Sequence, residues 1–166
     1  LNSEFPSTES TDPVKGLFTH LLYIRARYDD EAGLARLRQA FEFGRKAHEG
    51  QSRESGEPYF THPLHVACRL AEMRLDIDTL ITALLHDTVE DCNVTLQDIR
   101  NIFGDSVAML VDGVTKLSRL ELQSLDTKQA ENFRKFVLAV GKDIRVLLVK
   151  LADRTHNMQT IKAISN

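Results

Sequence analysis

Asp76-Ile77-Asp78-Thr79-Leu80-Ile81-Thr82-Ala83-Leu84-Leu85-His86-Asp87-Thr88-Val89-Glu90-Asp91 is the stretch whose reading decides the fold. Ile77, Leu80, Ile81, Leu84 and Leu85 recur at helical spacing, so one face of a helix over 77–92 is expected to enter a core. Four hydrophilic groups then arrive within six residues: His86, Asp87, Glu90 and Asp91. On a continuous helix 86 neighbours 90, and 87 neighbours both 90 and 91. An imidazole and three carboxylates would crowd the helix C-terminus, where the backbone dipole already carries partial negative charge. A bound cation would relieve that repulsion.

Outward from this stretch, helical periodicity dominates. Helices are expected over 13–28, 31–49, 62–74, 77–92, 95–103, 105–118, 127–140 and 142–165, an all-α bundle of about eight helices. Asp12-Pro13 and Thr95-Leu96-Gln97-Asp98 are helix-start signatures. Gly50 and Gly104 fit chain reversals. Loops are expected from Gln51 to Pro58 and from Ser118 to Asp126. Val146-Leu147-Leu148-Val149 looks strand-like alone, but helical spacing continues through Leu151, Ala152 and Met158, so a buried helix is expected. Residues 1–12 read as a polar, flexible lead-in, and 13–166 as one domain. No glycine or proline stop precedes Asn166, which suggests a domain truncated at its C-terminus.

Composition narrows the function classes. The 166 residues carry a net charge of −3 with 27% charged side chains. That balance argues against a nucleic-acid-binding face, which needs a basic patch. No apolar run approaches the ~18 residues of a membrane span. Cys68 and Cys92 form no CxxC pair, which fits a reducing cytoplasm.

Three separated segments offer ligands for a metal: His62 in Thr61-His62-Pro63, His86-Asp87, and Asp153 in Lys150-Leu151-Ala152-Asp153-Arg154-Thr155-His156-Asn157-Met158. Val146 and Val149 share a helical face with Asp153, Asn157 and Thr160, so an apolar seam should open into a cleft. Two imidazoles and two carboxylates suit Mn, Fe, Co or Zn better than Mg or Ca. Singly, each has a plain structural reading: His62 could cap a helix, Asp153 could pair with Arg154, and Glu90-Asp91 could be a solvated helix end. Arg45, Lys46, Lys150 and Arg154 are the cations near these motifs.

Five ordered stretches carry a family resemblance over residues 35–166. Gly50-Gln51-Ser52-Arg53-Glu54-Ser55-Gly56-Glu57-Pro58-Tyr59-Phe60-Thr61-His62-Pro63 resembles the opening motif of the long RelA/SpoT homologue proteins, which make and degrade the alarmones ppGpp and pppGpp. Ala83 to Asp91 resembles their hydrolase HD motif. Val111-Asp112-Gly113-Val114-Thr115-Lys116-Leu117, Ala130-Glu131-Asn132-Phe133-Arg134-Lys135 and Lys150 to Met158 match three more, the last leaning towards SpoT-like bifunctional members. The resemblance implies an HD-type hydrolase domain that converts (p)ppGpp to GDP or GTP and pyrophosphate in the stringent response. It implies that His62, His86, Asp87 and Asp153 hold one Mn²⁺ and that Glu90 and Asp91 orient or deprotonate the attacking water. It places Arg53 against the guanine base, with Ser55, Asn157 and Thr160 near the nucleoside. It also implies synthetase and regulatory domains in the full-length protein. Glu54 departs from the family pattern, where a basic or small residue is common. Two other readings stay open: an HD-type phosphohydrolase of another nucleotide, and a non-catalytic alarmone-binding regulatory module.

Overall fold

The computed structural model describes residues 12–123 and 129–164. Among these it is all-α, with helices α1 (Pro13–Arg25), α2 (Glu31–Ala47), α3 (Thr61–Glu72), α4 (Ile77–Leu85), α5 (Thr88–Asp91), α6 (Leu96–Phe103), α7 (Asp105–Gln123), α8 (Gln129–Lys142) and α9 (Ile144–Ile164). An isolated antiparallel bridge, Ser52 to Pro58, closes the loop between α2 and α3. Of the expected lead-in, 1–11 lie outside the described residues, whereas Asp12 caps α1 by accepting from the Val14 amide. Thr95 and Asp98 cap α6 reciprocally, satisfying amides that the helix leaves without partners. Gly104 turns the chain after α6 at φ 92°, where a side chain would be strained.

Helix α4 is the axis of the bundle and packs on α2, α3, α7 and α9. Its residues from Thr79 to Leu85 are all buried. Leu80, Ile81, Leu84 and Leu85 have no exposed surface, each contributing roughly 1.5–3 kcal/mol by leaving water. Thr79 and Thr82 are buried as well, with their hydroxyls satisfied locally: Thr79 donates to the side chain of the N-cap residue Asp76 and Thr82 to the Asp78 carbonyl at 2.7 Å. The face expected to line the core is therefore only part of what is buried.

Two expectations are corrected. The helix expected over 77–92 is two helices, interrupted at His86-Asp87. The His86 ring takes the Ala83 carbonyl and the Thr88 hydroxyl takes the Leu85 carbonyl. Side chains thus satisfy acceptors that end the backbone ladder. The loop expected from Ser118 to Asp126 is helical through Gln123, with Leu117 buried and Ser118 bonded back to the Val114 carbonyl; residues 124–128 lie outside the described residues. The Val146–Val149 run is helical, as expected.

The position of α9 is fixed by one close approach. A Cβ on Gly113 would lie 2.7 Å from Val146 Cγ2, so glycine lets α7 and α9 touch. Arg145, near the start of α9, also donates to Asp76, at the start of α4, at 2.7 Å. These contacts bring the polar part of α9 over the end of α4.

Candidate metal centre

The α4–α5 break faces the start of α3 and the middle of α9. One ligand atom from each of His62, His86 and Asp87 lies within 4.8 Å of the others. Asp153 completes the group: its Oδ1 is 3.0 Å from His62 Nε2 and 3.8 Å from His86 Nε2. Asp87 Oδ1 is 3.0 Å from His86 Nε2. The side chains of His62, His86 and Asp153 are 3%, 1% and 7% exposed, too little for water to solvate the charge of the carboxylate. The four residues expected to converge therefore do so.

Each of the four is held from behind. His86 Nδ1–H donates to the Ala83 carbonyl at 2.8 Å. A carbonyl can only accept, so Nδ1 carries a proton and Nε2 is the atom turned to the centre, free to offer its lone pair once its own proton is displaced. That Nε2 is buried without a hydrogen-bond partner. His62 Nδ1 lies 2.7 Å from His156 Nδ1. Lys150 donates to Asp153 Oδ2 at 2.9 Å, and Asn157 to its Oδ1 at 2.8 Å. The Tyr59 hydroxyl donates to Asp87 Oδ2 at 2.9 Å. An unmatched buried imidazole nitrogen beside two carboxylates and a second imidazole is a nitrogen and oxygen donor set that fits a divalent transition ion.

The electrostatics agree. Burial alone would lower the His86 pKa, but Asp87 and Asp153 outweigh it and lift it to about 9. Asp153 moves the other way. Burial opposes its ionisation, yet His62, His86 and Lys150 hold it well below the usual carboxylate range. Glu90 is raised, by burial first and the Asp87 charge second. Burial and the neighbouring imidazoles lower His156 to about 4, which keeps it neutral.

Above the centre opens a cleft of about 790 Å³ lined by Arg53, Ser55, Glu90, Asn157 and Thr160 among others. Arg53 donates to Asn157 Oδ1 and Thr160 Oγ1, both at 3.3 Å, tying the α2–α3 loop to α9. Its Nη1 is buried with no partner. Glu54 lines the cleft too. Among the described residues, five carboxylates face two cationic side chains, Arg53 and Lys150, around this lining. Asp91 is displaced from its expected place: it does not line the cleft, and its Oδ2 lies 3.2 Å from the Tyr59 hydroxyl. Of the candidate cations only Lys150 reaches the cleft; Arg45 and Lys46 line a separate cavity of about 510 Å³, and Arg154 is exposed outside it.

Sequence reasoning missed Tyr59. It sits in a loop, where no periodicity marks a side chain as inward-facing. His156 is the outer partner of His62, ring nitrogen to ring nitrogen.

Residues 40–166 match the HD domain family. The chain belongs to this family. The bifunctional (p)ppGpp synthase/hydrolase SpoT of Escherichia coli K12 is 55% identical over 148 residues, covering 89% of the chain and 21% of that protein. The guanosine-3′,5′-bis(diphosphate) 3′-pyrophosphohydrolase of Vibrio cholerae has the same identity and coverage. A GTP pyrophosphokinase of Myxococcus xanthus is 50% identical over 84% of the chain and 19% of that protein. The HD-domain chain thus spans about a fifth of the length of these curated relatives. Among solved structures, one described as "A metazoan ortholog of SpoT hydrolyzes ppGpp and plays a role in starvation responses" superposes with TM-score 0.62 at 26% identity, covering 82% of this chain and 73% of that one. Among the described residues no helix is long and apolar enough to cross a membrane.

Proposed function

We propose that this HD domain hydrolyses guanosine tetra- and pentaphosphate at the 3′ position, releasing pyrophosphate and GDP or GTP, with Mn²⁺ held by His62, His86, Asp87 and Asp153. The observation that carries the reading is the convergence of those four side chains, from three separated segments, at the floor of a cleft large enough for a nucleotide. The names of the relatives supply the substrate class. A synthetase and regulatory domains in the full-length protein and a cytoplasmic setting belong to the same reading. Relatives about five times as long support the first, and free Cys68 and Cys92 are consistent with the second.

The carboxylate excess of the cleft explains why a cation is needed. A polyanionic nucleotide would be repelled by five acids against two bases. A divalent ion held there would supply positive charge, polarise a phosphate oxygen and lower the pKa of water. The chain's own residues do the rest. Glu90 stands in the cleft with its pKa raised by burial and by the Asp87 charge, the direction that suits a base taking a proton from the attacking water. Lys150 and Asn157 fix the Asp153 carboxylate. Arg53 offers a planar guanidinium with an unused N–H to the base and nucleoside; Asn157 and Thr160 anchor it, and Ser55 lines the same wall.

The test is metal analysis of protein purified without chelator, followed by pyrophosphate release from ppGpp with and without Mn²⁺. Glu90→Gln should keep Mn²⁺ and lose roughly 10²–10⁴-fold in turnover, the usual worth of a positioned base. Full turnover without a transition ion, or equal turnover of simple nucleotides, would overturn the reading.

A further inference from the structure

The two members of the acidic pair are placed differently. Glu90 lines the cleft; Asp91 does not, and faces the back of Tyr59. The Tyr59 hydroxyl stands between Asp87 Oδ2 at 2.9 Å and Asp91 Oδ2 at 3.2 Å. Its ring is stacked on His48 with centroids 4.8 Å apart and planes 22° from parallel. His48 is buried, and its Nδ1 lies 2.9 Å from Gln51 Oε1. Gln51 in turn donates to the Asp91 carbonyl at 3.2 Å and accepts from the Tyr59 amide at 2.9 Å. Tyr59 is therefore fixed through its ring, its backbone and its hydroxyl at once.

We infer that Tyr59 is a positioning residue that holds Asp87 through Oδ2, and that Asp91 tunes that hold by competing for the Tyr59 proton rather than acting on the attacking water. The inference rests on the proposed function and assigns the two acids of that site separate tasks. With Oδ2 engaged by Tyr59 and 3.8 Å from His62 Nε2, Asp87 is turned so that Oδ1 lies 3.0 Å from His86 Nε2. A phenol is suited to this. It donates to a carboxylate without adding a charge that would compete with the cation, as a lysine or arginine there would. A phenol has one proton to give, and the shorter contact assigns it to Asp87; Asp91 Oδ2 is the competing acceptor, outside the lining of the cleft. Only Glu90 is then left to meet water in the cleft.

The test uses Mn²⁺ titration calorimetry on the whole chain, with ppGpp turnover measured in parallel. Tyr59→Phe keeps the ring on His48, so thermal stability without added ion should stay near wild type. Its Mn²⁺ affinity should fall about 10–100-fold, the usual cost of removing an outer partner of a metal ligand. Asp91→Ala should bind Mn²⁺ at least as tightly as the wild type, because the competing acceptor is gone, and should change nothing in the Tyr59→Phe background, where there is no proton to compete for. At saturating Mn²⁺ both variants should reach most of the wild-type turnover, and Glu90→Gln should not. Wild-type Mn²⁺ affinity in Tyr59→Phe would overturn the inference. So would an Asp91→Ala variant that loses turnover equally in both backgrounds with its ion bound, since Asp91 would then act on water directly. Failure of the wild-type chain to bind Mn²⁺ or release pyrophosphate is a different result. It removes the proposed function itself, and this inference with it.

Discussion

The floor and the lip of the cleft are built on opposite principles. At the floor, His62, His86 and Asp153 are nearly sealed from solvent, and each has a partner behind it: His156, the Ala83 carbonyl and Lys150. At the lip, Glu90 is 24% exposed and its nearest cation, Arg119, is 64% exposed and 3.9 Å away; Ser55 is exposed. Such loose surface pairs contribute little to stability. The floor is organised before any ligand arrives, because misplacing a ligand by a fraction of an ångström wastes the donor set. The lip has to admit and release a large anion, so its groups are held by few bonds. Arg53 lies between the two: it is tied to α9 by two long hydrogen bonds and keeps one N–H unused.

The sharpest way to break this contrast is at the floor. Asp153→Asn removes a charge that faces two imidazoles and the Lys150 ammonium, the latter only 13% exposed. We expect Mn²⁺ affinity to fall by more than the ~10–100-fold typical of losing an outer partner, and turnover to vanish with it. A thermal-shift series gives the check: Mn²⁺ should raise the melting temperature of the wild type and leave that of the variant unmoved. A variant that still responds to Mn²⁺ would show that the floor is not the ion site.

Much of this contrast was legible in the sequence, for identifiable reasons. The core face of α4, the caps of α1 and α6 and the turn at Gly104 follow local rules, and local rules survive folding. His62, His86, Asp87 and Asp153 were legible because three motifs carried them and because the α9 apolar stripe of Val146 and Val149 turns polar at Asp153. The break at His86-Asp87 was not legible. It arises because two side chains capture carbonyls at the end of α4, a choice that periodicity cannot register. Separating Glu90 from Asp91 was equally out of reach, since adjacent residues diverge only once Tyr59 arrives from another segment. Arg45 and Lys46 lie near the motifs in sequence but line a different cavity, as a charged side chain beside a motif usually faces away from it.

The floor should also respond to pH, and the sign can be fixed. Folding lifts His86 from its usual 6.5 to about 9, because Asp87 and Asp153 overcome the cost of burial. A raised pKa means the folded chain binds the proton more tightly than the unfolded chain. The resulting stability is complete below about pH 6.5 and is lost as pH rises through about 9. Melting temperature measured in chelator should accordingly decline across that window. Mn²⁺ affinity should do the reverse, because the ion must displace the same proton from Nε2. Calorimetry should show affinity rising by about tenfold per pH unit between 7 and 8.5, with close to one proton released. A pH-independent affinity would mean that His86 is already neutral in the folded chain, and the floor less strongly coupled than its geometry indicates.

The smallest effect belongs at the lip. Arg53→Ala removes a guanidinium that touches neither the ion ligands nor the buried core, so the Mn²⁺ response in the thermal-shift series should match wild type. What is lost is contact with the nucleotide and the bracing of the loop against Asn157 and Thr160. One charge-assisted hydrogen bond in a half-open site is worth roughly 1–2 kcal/mol, so the KM for ppGpp should rise by about tenfold with kcat changed much less. Arg53→Lys sharpens the point. Lysine restores the charge and not the planar face, so recovery of KM would mean that the charge attracts phosphate. Failure to recover it would mean that the flat guanidinium is used against the base. A fall in kcat with KM unchanged would instead put Arg53 among the groups that act on the reacting phosphate, and the division between a prepared floor and an adaptable lip would have to be redrawn around it.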